Sequence, residues 1–237
     1  MTSGIDVEPL AEDALLLRFG ATIDAALNAQ VHAAAVRLRA HLPTVECTPA
    51  YASLLLRFDP AEWSRDDDEP PLRRVREAAL ALLEGAASVD EQPRSVDIPV
   101  LYGGPAGPDL AAVSAHSGLS IEEVITRHTA ATYSVAMLGF APGFPYLLGL
   151  DPALAMPRRA DPRLSVPAGS VAIGGVQTGI YPEALPGGWQ LIGRTPLRLF
   201  DVQAPSPSLL RPGDRVRFHA IDEAAFQRLI DTPGAVR

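Results

Sequence analysis

Lysine is absent from this chain of 237 residues, and all 20 basic side chains are arginine. That absence removes whole classes of chemistry. There is no Schiff-base lysine, no pyridoxal-phosphate anchor and no P-loop lysine for a γ-phosphate. Biotinyl-lysine and lipoyl-lysine are excluded as well, so the chain cannot itself carry a swinging-arm cofactor. Any anion it binds must meet arginine, a nest of backbone N–H groups or a helix N-terminus. Cysteine is nearly missing too. Cys47 stands alone, which rules out an internal disulfide and a thiolate metal cluster. Long apolar runs are lacking: the longest, Ala78 to Leu83, falls far short of the ~20 residues of a membrane span. The opening MTSGIDVEPLAED has neither a basic region nor an apolar one, so no secretory signal is expected. Positive charge is in deficit, with 28 acidic side chains and a net charge of −8, which argues against a nucleic-acid partner. The remaining balance, 47% hydrophobic and 20% charged, is ordinary for a globular chain. A soluble cytoplasmic protein of one to two domains is expected, with no membrane partner.

The first ninety or so residues read as two similar units. Ile5–Pro9 and Ala14–Phe19 are predicted strands. Ile23, Leu27, Val31, Ala34, Ala35, Leu38 and Leu42 then recur at spacings of three and four, one stripe of an amphipathic helix opened by Thr22 and closed before Pro43. Val45–Pro49 and Ser53–Phe58 repeat the strand pair. After the acidic loop Arg65–Pro71, a second helix carries Leu72, Val75, Ala79, Leu82 and Leu83 on one face. This order predicts an α+β N-terminal domain over 1–88, two helices on one side of a sheet, with a ferredoxin-like arrangement as the guess.

Gly85 to Arg94 reads as a linker. Beyond it glycine and proline become dense. Asp109–Ser117 and Ile121–Ala130 look helical, the second opened by Ser120 with Glu122 and Glu123 behind it. From Thr132 come short apolar runs broken by turns: YSVAML, SVAIGGV, WQLIG, LRLF and RVRFHAI. Such texture predicts a mainly-β barrel or closed sandwich over 89–237, with Asp222–Leu229 as a short terminal helix.

Four segments are too rich in glycine, proline and aromatics for ordinary surface loops: Gly139–Leu147, Pro157–Gly175, Gln177–Trp189 and Gly193–Asp201. In the first, Phe140, Phe144 and Tyr146 alternate with Pro142, Gly143 and Pro145, which fix an irregular backbone. Rigid loops with aromatic faces suit a flat, partly apolar ligand; the same rings would also serve to plug a barrel end. The second brings together Arg158, Arg159 and Arg163, forks suited to carboxylate or phosphate, or else a basic turn paired with Asp151 or Asp161. Gly169 and Ser170 offer N–H groups to an oxyanion. Ser170 lies outside a G-x-S-x-G elbow, which disfavours a nucleophile there. His128, near a predicted helix end, is either a general acid–base group or a satisfied core histidine. Tyr181-Pro182 and Gly187-Gly188-Trp189 read as tight turns flanking strands, and Gln177 as a polar contact to a ligand amide. The remaining histidines show no ligand spacing, so no metal site is expected.

Taken in order, His128 through Asp201 with GFAPGFPYL, PRR-x-x-PR-x-x-VPAGSVAIGG, Q-x-G-IYP, PGGW and GRTP resembles the family of KipI, allophanate hydrolase subunit 1 and the B subunit of bacterial 5-oxoprolinase. The resemblance implies a small α+β N-domain and a cyclophilin-like β-barrel C-domain. Its implied activity is that of one subunit of an ATP-dependent 5-oxoprolinase, inactive alone, in which ATP activates the lactam oxygen and water then opens the ring to glutamate. Implied partners are the larger C-type 5-oxoprolinase subunit (allophanate hydrolase subunit 2-like) and the A-type 5-oxoprolinase subunit. The family also implies two rival roles: inhibitor of a sporulation histidine kinase, or a carboxyltransferase-type subunit of urea degradation. The Ser-Ser-Lys amidase signature is missing, as it must be without lysine. Under this resemblance Arg158, Arg163 and Arg194 are candidates for clamping the substrate carboxylate and facing the phosphoryl group, with His128 as acid–base. Phe140, Pro142, Gly143, Phe144, Tyr146, Gly169, Ser170, Gln177, Tyr181 and Trp189 complete the candidate substrate-binding set. No Walker A motif is present, so ATP is expected to be used by the complex rather than bound by this chain alone.

Overall fold

The structure, a computed structural model, describes residues 4–66, 68–84 and 93–231. The chain divides into two compact units, 1–92 and 93–237. The linker expected at Gly85–Arg94 lies outside the described residues except for Pro93 and Arg94.

The first unit runs β1 (Asp6–Ala11), β2 (Ala14–Arg18), α1 (Ala25–His41), β3 (Val45–Pro49), β4 (Ser53–Phe58), a short α2 (Pro60–Trp63) and α3 (Pro71–Leu83). Its sheet has the order β1-β2-β4-β3, antiparallel throughout. Cross-strand partners Leu15–Leu56, Leu17–Leu54 and Cys47–Leu56 put one apolar side chain after another on a single face. Val31, Ala34, Ala35 and Leu38 of α1 join Val75 and Ala79 of α3 against it in one core. Each buried leucine there contributes roughly 2 kcal/mol. Element order is ββαββα, counting the two long helices, whereas the ferredoxin-like unit runs βαββαβ; moving the first strand to the end converts one into the other. The cap of α1 differs from the expected one. Asp24, not Thr22, accepts the Leu27 N–H at 2.8 Å, and Ile23 is left exposed outside the stripe.

The second unit contains β5 (Ser95–Tyr102), α4 (Leu110–Ser117), α5 (Ile121–Ala130), β6 (Thr132–Leu138), β7 (Pro145–Leu148), β8 (Arg163–Val166), β9 (Ser170–Gly174), β10 (Gln177–Ile180), β11 (Leu185–Gly187), β12 (Gln190–Arg194), β13 (Arg215–Ala220) and α6 (Glu223–Asp231). Seven strands close into a barrel in the order β10-β7-β6-β13-β5-β12-β9, and β8 and β11 form a separate two-stranded sheet. Closure gives every strand of the barrel a neighbour on each side. Ile98, Val135, Leu147, Val171, Ile173, Ile180, Val216 and Phe218 fill its interior. Helix α5 begins with a full capping box, Ser120 and Glu123 each holding the other's backbone N–H.

Two elements depart from the sequence pattern. Strand β5 is masked in the sequence because Pro99 interrupts it. Proline is tolerated there because β13 runs along Ser95–Val100 while β12 pairs only with Leu101 and Tyr102. Conversely LRLF is no strand. Leu197 and Leu199 are buried in the barrel core with Arg198 exposed between them, so the alternation reflects burial, and the segment's one ladder contact is the bridge Phe200–Ser208.

Candidate functional site

The hairpin of β9 and β10 forms a floor. Val171 and Ile173 point into the barrel, so Ala172 and Gly174 face outward, and the register sets Gln177 beside Gly174 and Gly179 beside Ala172. Two of these outward positions lack a Cβ for a visible reason. At Gly174 a Cβ would overlap the Trp189 indole. At Gly179 it would come within 2.8 Å of the Pro145 carbonyl oxygen and 3.2 Å of the Phe144 ring. Trp189 and Phe144 therefore lie directly on strand backbone. Around them a second core has formed on the outer wall, from Phe144, Val166, Ala172, Tyr181, Trp189 and Leu191.

Phe144 is the hub of the rings. Its centroid lies 5.5 Å from Phe140, 5.0 Å from Tyr146, 5.2 Å from Tyr181 and 5.6 Å from Trp189, mostly edge to face. These are favourable aromatic geometries, each worth about 0.5–1.5 kcal/mol beyond area burial. Two separate segments, Gly139–Leu147 and Gln177–Trp189, thus converge on one cluster of rings. The loop that carries Phe140 is tied by Ala141 N–H to Gly139 O at 2.8 Å and Phe144 N–H to Ala141 O at 3.0 Å. Gly143 has φ +80°, and a Cβ there would press on Phe200 at 2.8 Å. Phe140 itself sits at φ +69°, the one non-glycine residue with positive φ among the described residues, and the residue is 62% exposed. A bulky side chain held in the left-handed region and turned to solvent is strain of the kind found at working surfaces. Pro142 is exposed beside it.

Arginine enters from the small sheet. Arg163 of β8 pairs with Gly187 of β11, and the side-chain position of Gly187 is taken by the Tyr181 hydroxyl. Cross-strand partners project to the same side, so Arg163 and Tyr181 share a face. One amino group of Arg163, Nη2, donates to Asp109 Oδ1 at 2.8 Å; Nη1 is buried with no acceptor among the described residues. Asp109 also accepts the Leu191 N–H at 2.7 Å and receives Arg159 at 3.5 Å. Burial raises the Tyr181 phenol, partly offset by the backbone N–H of Trp189 that it accepts and by the nearby charges of Arg163 and Arg158. Burial raises Tyr146 as well, against the pull of Arg158. Both phenols therefore remain protonated at neutral pH. Arg158 is exposed and makes no ion pair among the described residues.

Other candidates fall elsewhere. His128 is fully buried inside the barrel and stacks on Phe218 at 4.7 Å. Thr178 gives its own proton to Ala172 O, so His128 Nε2 must donate to Thr178 Oγ1 (3.1 Å), and Nδ1 accepts from Tyr102 (2.8 Å). Desolvation holds its pKa at about 3. This is a satisfied core histidine, and the acid–base role is withdrawn. Gly169 and Ser170 offer no oxyanion nest, because their N–H groups already bond Tyr181 O (2.7 Å) and Pro167 O (3.2 Å), and the Ser170 hydroxyl bonds Pro167 O too. Arg194 Nε braces the same turn through Ala168 O at 2.8 Å. Of the expected ion-pair partners, Asp151 takes Arg127 and Asp161 meets Arg159 only through its carbonyl. The residue that sequence reasoning missed is Asp109. A lone acid before a helix reads as a cap, yet it makes no capping bond to α4. Among the described residues no three His, Cys, Asp or Glu side chains gather to hold a metal, and no helix is long and apolar enough to cross a membrane.

The wall thus offers aromatic rings, guanidinium groups and phenol hydroxyls. Residues 5–210 match the family model described as carboxyltransferase domain, subdomain C and D. The chain belongs to that carboxyltransferase family. Within it, the chain is 46% identical over 232 residues to a Bacillus subtilis (strain 168) protein named as the B subunit of 5-oxoprolinase, covering 95% of this chain and 97% of that one. Among solved structures it is similar to TTHA0988, with a TM-score of 0.75 and 42% identity over 89% of this chain; the match spans only 40% of that longer protein. A TM-score of 0.72 at 19% identity relates its fold to the urea amidolyase of K. lactis, covering 96% of this chain and 15% of that one.

Proposed function

We propose that this protein is the B subunit of a bacterial ATP-dependent 5-oxoprolinase, which opens 5-oxoproline to L-glutamate, and that it works only with its partner subunits. The observation that carries this reading is the near end-to-end 46% identity to a 5-oxoprolinase B subunit. The outer wall of the barrel supports it. A small ring bearing a carboxylate needs an apolar face, cations and hydrogen-bond donors, and the wall offers the exposed Phe140 and half-buried Tyr146, backed by the buried Phe144, Tyr181 and Trp189, then Arg158 and Arg163. Gln177, on the same outward face as Gly174 and Gly179, is suited to read the lactam amide. The chain has no lysine and no Walker A motif, so ATP is assigned to the complex rather than to this chain alone. The proposed partners are the larger C-type and the A-type 5-oxoprolinase subunits, and the proposed compartment is the cytoplasm. On the fold, we read unit 1 as a domain of residues 1–88 with a re-ordered ferredoxin-like sheet, and 89–237 as a cyclophilin-like barrel. The likeness to urea amidolyase rests on fold alone and favours no urea-degrading role.

The test is co-expression with both partner subunits and measurement of 5-oxoproline-dependent ADP release. Activity is expected from the complex and none from the isolated chain. A well-formed complex without such activity would sink the reading; turnover by the isolated chain would overturn the requirement for partners.

A further inference from the structure

Asp109 is a buried carboxylate with three roles at once. Oδ2 holds the Leu191 N–H at 2.7 Å, Oδ1 takes Arg163 Nη2 at 2.8 Å, and the Asp109 N–H bonds Leu191 O at 2.9 Å. It is therefore fixed to β12 of the barrel, and it fixes Arg163 in turn. A guanidinium is a planar fork. With Nη2 held by Asp109, the orientation of Nη1 is set, and Nη1 is the atom left buried without an acceptor. The same face carries the Tyr181 hydroxyl, which fills the side-chain position of Gly187, the cross-strand partner of Arg163. A buried guanidinium N–H without an acceptor and a phenol hydroxyl, on one face of the aromatic wall, suit a single oxygen acceptor.

We infer that Asp109 is the positioning residue of this site: it aims Arg163 Nη1, beside the Tyr181 hydroxyl, at a carboxylate oxygen of the ligand. Asp109 neutralises Arg163, so Arg163 supplies direction more than net charge, while Arg158, without a carboxylate partner, supplies the charge. The inference rests on the reading of this wall as the substrate-binding surface.

Charge and position pull in opposite directions here, which makes the test decisive. If Asp109 were only a counter-charge, replacing it by neutral asparagine would strengthen anion binding by Coulomb's law. If it aims Arg163, the same change weakens binding despite that gain. Asparagine can still accept the Leu191 N–H, so the fold is expected to survive. In the assembled complex Asp109→Asn is expected to raise KM for 5-oxoproline about tenfold with kcat within about threefold. The increase should vanish in an Arg163→Gln background, because the two residues act through one contact. A KM that is unchanged or lower overturns the inference, as does an equal increase in the Arg163→Gln background. Should Asp109→Asn fail to fold, Arg163→Lys decides. It keeps the charge and loses the fork, and an unchanged KM there also overturns the inference. A complex that does not turn over 5-oxoproline defeats the proposed function alone. Calorimetric titration with propionate, a bare carboxylate, then decides: weaker binding by Asp109→Asn than by wild type upholds Asp109, whereas equal binding, or none by wild type, overturns it.

Discussion

The two units solve the same packing problem with different materials. Unit 1 buries one face of an open sheet under two helices, almost wholly with leucine, valine and alanine, and closes its surface with local ion pairs such as Arg18–Glu8 and Arg57–Asp13. Unit 2 fills the inside of its barrel and builds a second core outside, on the wall of β9, β10 and β12. That outer core departs from what stability alone would select. It removes side chains from the strands at Gly174 and Gly179 and strains Phe140. Local rules broken together at one place mark a working surface. Unit 1 has a cleft of about 460 Å³ between Pro43, Glu46, Arg57 and Glu62, and it is lined by polar side chains that serve neighbouring elements.

The sharpest way to break this comparison is a pair of glycine substitutions. Gly174→Ala drives a methyl group into the Trp189 indole and is expected to cost about 2–4 kcal/mol. Gly20→Ala meets only the end of the flexible Leu27 side chain, at 2.7 Å, and is expected to change stability by less than about 0.5 kcal/mol. Chemical denaturation measures both. Equal costs would mean that the outer wall is not tightly built.

Acid gives the next largest effect. Folded His128 has a pKa of about 3 against an ordinary 6.5, so between those values the unfolded chain binds a proton that the folded chain refuses. The contribution is complete above pH 6.5 and falls as pH drops towards 3, by at most ~1.4 kcal/mol per unit. His128→Gln should flatten the loss of stability between pH 6 and 4 relative to wild type. Parallel curves would show that burial does not hold this imidazole neutral.

The smallest expected effect on stability accompanies a clear effect on function. Arg158→Gln should leave the melting temperature within about 2 °C and raise KM for 5-oxoproline about tenfold, equivalent to ~1.4 kcal/mol. Arg57→Gln, an exposed arginine of unit 1, should change neither. If both variants behave alike, Arg158 leaves the site.

Much of this was legible in the sequence, for identifiable reasons. The strands Val45–Pro49 and Ser53–Phe58 and the helix Ile121–Ala130 end where the residue pattern says they should, because their apolar spacing and caps are local signals. The aromatic loop was legible because proline and glycine so dense between rings have few ordinary uses. Failures came where burial and pairing diverge: LRLF alternates like a strand while plugging the barrel, and β5 hides behind Pro99. At the site, residue type could nominate arginines but not say which were already occupied. Arg194 and the Gly169–Ser170 turn serve the backbone, and His128 serves the core, because their partners lie 26 residues away for Arg194 and 50 for His128. Asp109 was invisible for the same reason, being 54 residues from Arg163 and 82 from Leu191.

The central claim, that the outer aromatic wall of unit 2 receives the substrate, is tested most directly by amide hydrogen exchange on the assembled complex with and without saturating 5-oxoproline. Slowed exchange is expected in the segments 139–147, 157–166 and 177–191, with unit 1 unchanged. Protection confined to unit 1, or absent from all three segments while the ligand is bound, would contradict it.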